Sequence, residues 1–434
     1  MTGETPVFPR FPLARTILSL TIGASLLGST ASAAPVAKAS PSAAPRFSRA
    51  KPPVSIEKAR AHKLRPAHTI GVATAVDDLP EAKLKKAPKY FPKAPKLDAA
   101  KFSDAVHAVL KDKVRGYSLV VRRDTGLAAH VIWDYAKAPG EGNKGWTIDT
   151  RMHIASVSKM ITAMAIIDLL DEQGLTVDTK IGPYIPDYWQ VGNNVADLSF
   201  RDLMRHRSGF ASDDSDGSFP AMKREVAKNV PTDAEGHYAN VNFSLLRVLG
   251  AVLSGTVSAD TKWDNEINDA MWDIAATQWL IARANSHVLA PSGVDAFSPI
   301  PSGDSALAYS GKTDTNGWNS GDVSTQLGGV GFRLSPNDVA KVMGTWRRSE
   351  KIVSKELAEA SVTGLLGING DVDTGAGRGY YRKGGWGGTD IERSVAFYLP
   401  GKVEIVLMVN SHIGNDPDFS MVELVTNAYN ASLE

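Results

Sequence analysis

The chain has 434 residues, 43% hydrophobic and 22% charged, enough to bury a large core and typical of a soluble globular protein. It holds no cysteine, which excludes disulfides and a lipid-anchoring cysteine. The net charge of +1 conceals two parts of opposite sign: residues 34–100 carry 14 Lys and Arg against 5 Asp and Glu, and residues 101–434 carry 32 against 41.

In chain order, residues 1–33 read as a secretory signal, with Arg10 and Arg15 at its basic start. An apolar run follows over about 16–27, and Ala31-Ser32-Ala33 forms a small-residue cleavage site. The run is too short to cross a bilayer, so a secreted or periplasmic protein is expected. Residues 34–96 form a basic linker rich in Pro, Ala and Lys, as in Lys85-Lys86-Ala87-Pro88-Lys89. This composition predicts an extended, disordered spacer able to touch anionic envelope surfaces electrostatically. It lacks the interleaved aromatics of a nucleic-acid platform, so no nucleic acid is expected as partner.

From residue 97 the pattern is that of one globular domain reaching 434. An amphipathic helix is expected at 101–112, then a hairpin of strands at 117–123 and 128–135 around Asp124-Thr125-Gly126. A strongly apolar helix spans 158–173 and stops at Gly174. Shorter helices are expected at 198–205 and 243–253. Residues 263–325 read as loops and small helices around 275–284, placed to cover a site and set substrate size. Ser335-Pro336-Asn337-Asp338 is a helix start. A second hairpin at 394–399 and 403–409 turns at Pro400-Gly401, and a helix at 421–432 closes the chain. Strands at both ends with helices between predict a mixed α/β fold, its mainly antiparallel sheet drawn from both termini and a helical region inserted.

Ser156 and Lys159 place a hydroxyl and an amine three residues apart at the start of the long helix, on one face of its first turn. A serine becomes a nucleophile when a base stands beside it, and a helix N-terminus stabilises negative charge there. The spacing alone is weak, for Ser48–Lys51 and Ser55–Lys58 repeat it inside the linker. Two further motifs strengthen it. Tyr238-Ala239-Asn240 is the only Tyr-x-Asn of the chain, and Lys383-Gly384-Gly385 the only Lys-x-Gly. Nine histidines are scattered without metal-ligand spacing, and no cofactor motif appears. Asn369-x-Asp371-x-Asp373 departs from a calcium loop at its later positions and reads as a polar turn.

In these three motifs, their order and their gaps, the chain resembles the serine β-lactamase and penicillin-binding enzyme superfamily, nearest to class C β-lactamases, D,D-peptidases and related esterases. The runs IASVSKMITAMAIIDLLDEQGLTVD, LSFRDLMRHRSGF and GGVGFRLSPNDVAKVM carry the likeness over roughly 100–434. The resemblance implies a β-lactamase/transpeptidase-like fold and an acyl-enzyme on Ser156. Lys159 and Tyr238 are its implied bases. A phenol titrates near about 10, so Tyr238 needs neighbouring cations, and Lys159 and Lys383 are the two candidates. Asn240 is implied to hold the substrate amide or position Lys159. Lys383 is expected on an edge strand facing substrate, with Gly384 and Gly385 permitting close approach. The amides of Ser156 and Trp386 are the implied oxyanion hole. Asn410 and Asn415 fall where relatives contact a substrate carboxylate, though strand-end turns explain them as well. Gly384 replaces the usual hydroxyl residue, which leaves the substrate open among esters, β-lactams and D-amino-acid amides. A small-molecule or peptide substrate and a monomer are expected. The rival reading is a catalytically weak penicillin-binding or envelope-binding protein that keeps the fold.

Overall fold

In a computed structural model, the structure describes residues 95–434 except 125, 212–215, 389, 415, 417 and 418. The expected signal segment at 1–33 and nearly all of the linker at 34–96 lie outside the described residues.

The first helix, α1 (Ala99–Leu110), starts where Asp98 accepts from the amides of Ala100 and Lys101. The hairpin of β1 (Gly116–Arg123) and β2 (Gly126–Lys137) follows, then a short β3 (Lys144–Gly145) and β4 (Met152–His153). The helical region contains α2 (Ser158–Glu172), α3 (Phe200–Met204), α4 (Phe219–Val226), α5 (Asn240–Leu253) and α6 (Asn268–Arg283). β5 (Arg333–Leu334) pairs with β4, and α7 (Pro336–Arg348) begins in a capping box of Ser335 and Asp338. The chain ends in α8 (Lys355–Thr363), β6 (Gly370–Thr374), β7 (Gly377–Trp386), β8 (Glu392–Leu399), β9 (Val403–Val409) and α9 (Met421–Ala431).

Seven strands form one antiparallel sheet in the order β3-β2-β1-β9-β8-β7-β6. The two ends of the domain meet at the β1–β9 seam, in register from Tyr117 opposite Val409 to Arg123 opposite Val403. Both faces of these central strands are covered, which is why β9 reads as an almost unbroken apolar run. Ile405, Leu407 and Val409 pack with α1 and α9, while Val406 and Met408 face the core shared with α2, α5 and α7. α2 is the hub of that core, buried on every side from Ser158 to Leu170. This is the mixed α/β architecture expected from the sequence, with the helical region inserted between the two groups of strands.

The elements not foreseen were α4, α8, the two-residue strands β3 and β5, and β6. Asp371 and Asp373 lie on strand β6 rather than in a polar turn, their carboxylates 2.8 and 3.6 Å from the Arg378 guanidinium. Cross-strand charge pairing makes acidic alternation compatible with an edge strand, and hydrophobic periodicity cannot see it.

Candidate active site

β4 leads into a tight turn, Ala155–Val157, that runs straight into α2. The turn is pinned on both sides: the Ile154 amide donates to Phe332 O at 3.0 Å, and Ser394 Oγ donates to Ile154 O at 2.7 Å. Ala155 sits at φ +46°, a backbone state costly for a residue with a Cβ. That strained step lifts Ser156 to the lip of the helix, 8% exposed.

Lys159, one turn on, is fully buried. Its Nζ lies 3.0 Å from Ser156 Oγ, 2.5 Å from Asn240 Oδ1 and 2.7 Å from the carbonyl of Gly329. Burial, reinforced by the nearby Arg382 guanidinium, holds its amine well below the ordinary lysine range. A neutral amine has two N–H groups and one lone pair. Asn240 Oδ1 and the Gly329 carbonyl can only accept, so they take the two N–H groups and leave the lone pair facing Ser156.

Tyr238 stands on the loop entering α5, its hydroxyl 2.6 Å from Ser156 Oγ. The second cation at this tyrosine is Arg382, which donates from Nη2 to Tyr238 OH at 3.3 Å and from Nε to Ser156 O at 2.8 Å. Its guanidinium carbon lies 5.5 Å from the Tyr238 ring centre, and Lys159 Nζ lies 4.8 Å from it. Arg382 is 1% exposed and has no carboxylate partner among the described residues. Burial lowers its titration, yet a guanidinium remains charged throughout the working range.

The placement of Lys383 departs from the expectation, and strand alternation explains how. Along β7, Arg382 and Gly384 face Ser156, whereas Lys383 leaves the opposite face of the strand and is exposed at the rim of a cavity that Ser156 also lines. The cation–x–Gly spacing is therefore met one residue earlier, by Arg382-Lys383-Gly384. The residue between cation and glycine is then Lys383, not Gly384. β7 is also not an edge strand throughout: β6 covers Gly377–Tyr381, and only the later half has a free margin. The expected Trp386 amide turns out to face the wrong way. The Lys383 N–H donates away from β8, to Asn369 Oδ1 at 2.9 Å. Amide direction repeats every second residue, so the Gly385 N–H opens on the same free margin. The Trp386 N–H turns toward β8, where Trp386 pairs with Glu392. Gly385 thus joins Ser156 as the second amide at this margin.

Asn240 sits beside Lys159. Asn410 does not reach the site: it is fully buried and donates to Tyr135 O at 3.0 Å and Leu307 O at 2.8 Å. Asn415 lies outside the described residues. Arg382 and the Gly329 carbonyl escaped sequence reading. The Arg-x-Gly overlapping Lys-x-Gly was the available signal for the first; a carbonyl leaves none. Two cavities, of about 630 and 680 Å³, open on either side of Ser156 and Tyr238. Lys383, Arg393 and Met421 line the first, and Asp216, Gln326 and Trp386 the second. From the segment 263–325, the Trp318 ring packs over Gly387 at the rim.

This fold and this cluster define the class of β-lactamase-fold serine hydrolases. The family Beta-lactamase matches residues 98–429, and the chain belongs to it. "Penicillin-binding protein 4" of Amycolatopsis lactamdurans is 25% identical over 136 residues, covering 29% of this chain and 34% of that one. The match thus spans about a third of that relative's length. The class C beta lactamase of Rhodobacter sphaeroides superposes with a TM-score of 0.53 at 14% identity, over 76% of this chain and 98% of that one. The D-amino acid amidase of Ochrobactrum anthropi gives 0.54 at 16% identity, over 76% and 96%.

Proposed function

We propose that this protein is an exported serine hydrolase that works through an acyl-enzyme on Ser156. The observation carrying this reading is one hydroxyl flanked by Lys159 at 3.0 Å and Tyr238 at 2.6 Å. Lys159, held neutral, takes the Ser156 proton as Oγ attacks the substrate carbonyl. Negative charge growing on the carbonyl oxygen meets the amides of Ser156 and Gly385. Tyr238 gives its proton to the departing atom, Arg382 offsets the charge left on the phenol oxygen, and the proton on Lys159 restores the hydroxyl. Water then attacks the acyl-enzyme by the same path in reverse.

The substrate class follows from the charges in the first cavity. Lys383 and Arg393 both line it against the single carboxylate of Asp390, and neither cation has a carboxylate within ion-pair distance among the described residues, so the cavity keeps a net positive charge. Arg393 is held instead by the carbonyls of Asp390 and Phe419. A substrate carrying an anionic group on that side, a β-lactam or a D-amino-acid peptide, is favoured over a neutral ester. The signal-like segment at 1–33 supports export, and the basic linker at 34–96 supports contact with anionic envelope surfaces. The test is turnover of nitrocefin, a D-Ala-D-Ala peptide and short p-nitrophenyl esters by wild type and Ser156→Ala. Loss of all activity in the variant is expected, and unchanged activity would sink the assignment.

A further inference from the structure

Tyr238 is presented by a loop, not by a helix or strand, yet its hydroxyl must be held to within a fraction of an ångström of Ser156 Oγ. A residue that holds that loop at several points comes from elsewhere in the chain. His206, just after α3, contacts it at three consecutive residues. Its carbonyl accepts from the His237 amide at 2.8 Å, and its ring lies 4.5 Å from the Tyr238 ring with 34° between planes. Its Nδ1 accepts from the Ala239 amide at 3.3 Å. The Asn242 side-chain amide donates to the same nitrogen at 3.3 Å, its own Oδ1 accepting from Ser208 Oγ at 2.6 Å.

Two N–H donors on Nδ1 fix the tautomer: the ring proton is on Nε2, which has no hydrogen-bond partner among the described residues. The ring is thus oriented through Nδ1 and its face. Burial and the neighbouring Arg382 and Lys159 push the imidazole down to about 2, so it adds no third positive charge beside Tyr238. His206 also adopts φ +56°, a conformation paid for in strain and available mainly to Gly, Asn, Asp and His. A buried histidine in a left-handed turn, neutral and with one nitrogen unused, is poorly explained as core filling alone.

We infer that His206 is a positioning residue for the reaction: it clamps residues 237–239 so that the Tyr238 hydroxyl meets Ser156. This rests on the function proposed above, and the test separates the two. The full chain is compared with His206→Ala, His206→Asn, Tyr238→Phe, the Tyr238→Phe/His206→Ala double variant and Ser156→Ala. The readouts are kcat and KM on a p-nitrophenyl ester and the rate of fluorophosphonate labelling of Ser156.

His206→Ala should lower kcat about 10- to 100-fold with KM within about threefold, the signature of a misplaced group rather than lost binding. His206→Asn should recover to within about threefold of wild type, because Asn Oδ1 can accept near the Nδ1 position and Asn tolerates positive φ. In the Tyr238→Phe background, removing His206 should cost less than about twofold more. Equal costs in both backgrounds, or a His206→Ala protein within twofold of wild type, overturn the inference. If His206→Ala does not fold, His206→Gly, which suits the positive φ while removing the ring, carries the same comparison: a cost confined to the Tyr238 protein supports the clamp, and equal costs refute it. An active Ser156→Ala protein overturns the proposed function and this inference with it; an inactive one alongside equal costs overturns this inference alone.

Discussion

Gly384 is where β7 touches the nucleophile's backbone, and one methyl group there tests the geometry directly. A Cβ on Gly384 would stand 2.6 Å from Ser156 N, 2.8 Å from Ile154 O and 2.9 Å from Ser394 Oγ. Two of these are backbone atoms of the strained turn and cannot rotate away. Ordinary contact begins near 3.4 Å, so the strand and the two backbone atoms of the turn must separate by about 0.6–0.8 Å. Overpacking of this kind costs about 1–3 kcal/mol of stability. Displacing Ser156 against the Gly385 amide by that distance costs about 10- to 100-fold in rate. Gly384→Ala is compared with Gly388→Ala, where nothing lies within 4 Å of the added carbon. The measurements are urea unfolding and the fluorophosphonate labelling rate of each protein. If the two variants behave alike, the close approach of β7 to Ser156 is not real, and the oxyanion site built on it fails.

Four further outcomes are expected. Arg382→Met should lower ester kcat at least about 100-fold by removing the cation on Tyr238. Lys383→Met should cost far less on a neutral ester and instead raise KM for carboxylate-bearing substrates; the opposite ranking would restore Lys383 as the motif cation. The acid limb of kcat/KM should follow Lys159, activity falling as the amine becomes protonated. Removing the Arg382 charge favours the ammonium, so in Arg382→Met that limb should move to higher pH, and a limb that stays put or moves down contradicts Lys159 as base. Finally, His206 titrates at about 2 when folded and near 6.5 when unfolded, so its stabilising contribution is complete above 6.5 and lost as pH falls toward 2. Relative to His206→Asn, wild type should lose about 1.4 kcal/mol of unfolding free energy per pH unit below 6.5, measured by denaturant titration. Parallel pH curves would show that His206 is not buried in neutral form.

What could be read from the sequence was what local geometry determines. Ser156 and Lys159 are one helical turn apart, so their meeting follows from the helix itself. The central strands announced themselves through apolar content, because both their faces are covered. The third motif was displaced by one residue because Arg382 and Lys383 are adjacent cations on a strand whose residues alternate faces. Which of them turns inward depends on pairing with β8, and the glycine-rich sequence after them carries no hydrophobic alternation to reveal it. β6 was missed for a related reason: its stabilisation is cross-strand charge pairing with Arg378. His206 illustrates the remaining limit, since only the fold brings it to Tyr238, 32 residues on in the chain.

The central claim is that Ser156 is the atom that becomes acylated. Intact mass and peptide mapping after reaction with a fluorophosphonate or a penicillin test it without knowledge of the natural substrate. One adduct per chain on Ser156 is expected, absent in Ser156→Ala and slowed in Tyr238→Phe. An adduct on another residue, or labelling that persists in Ser156→Ala, would contradict the account.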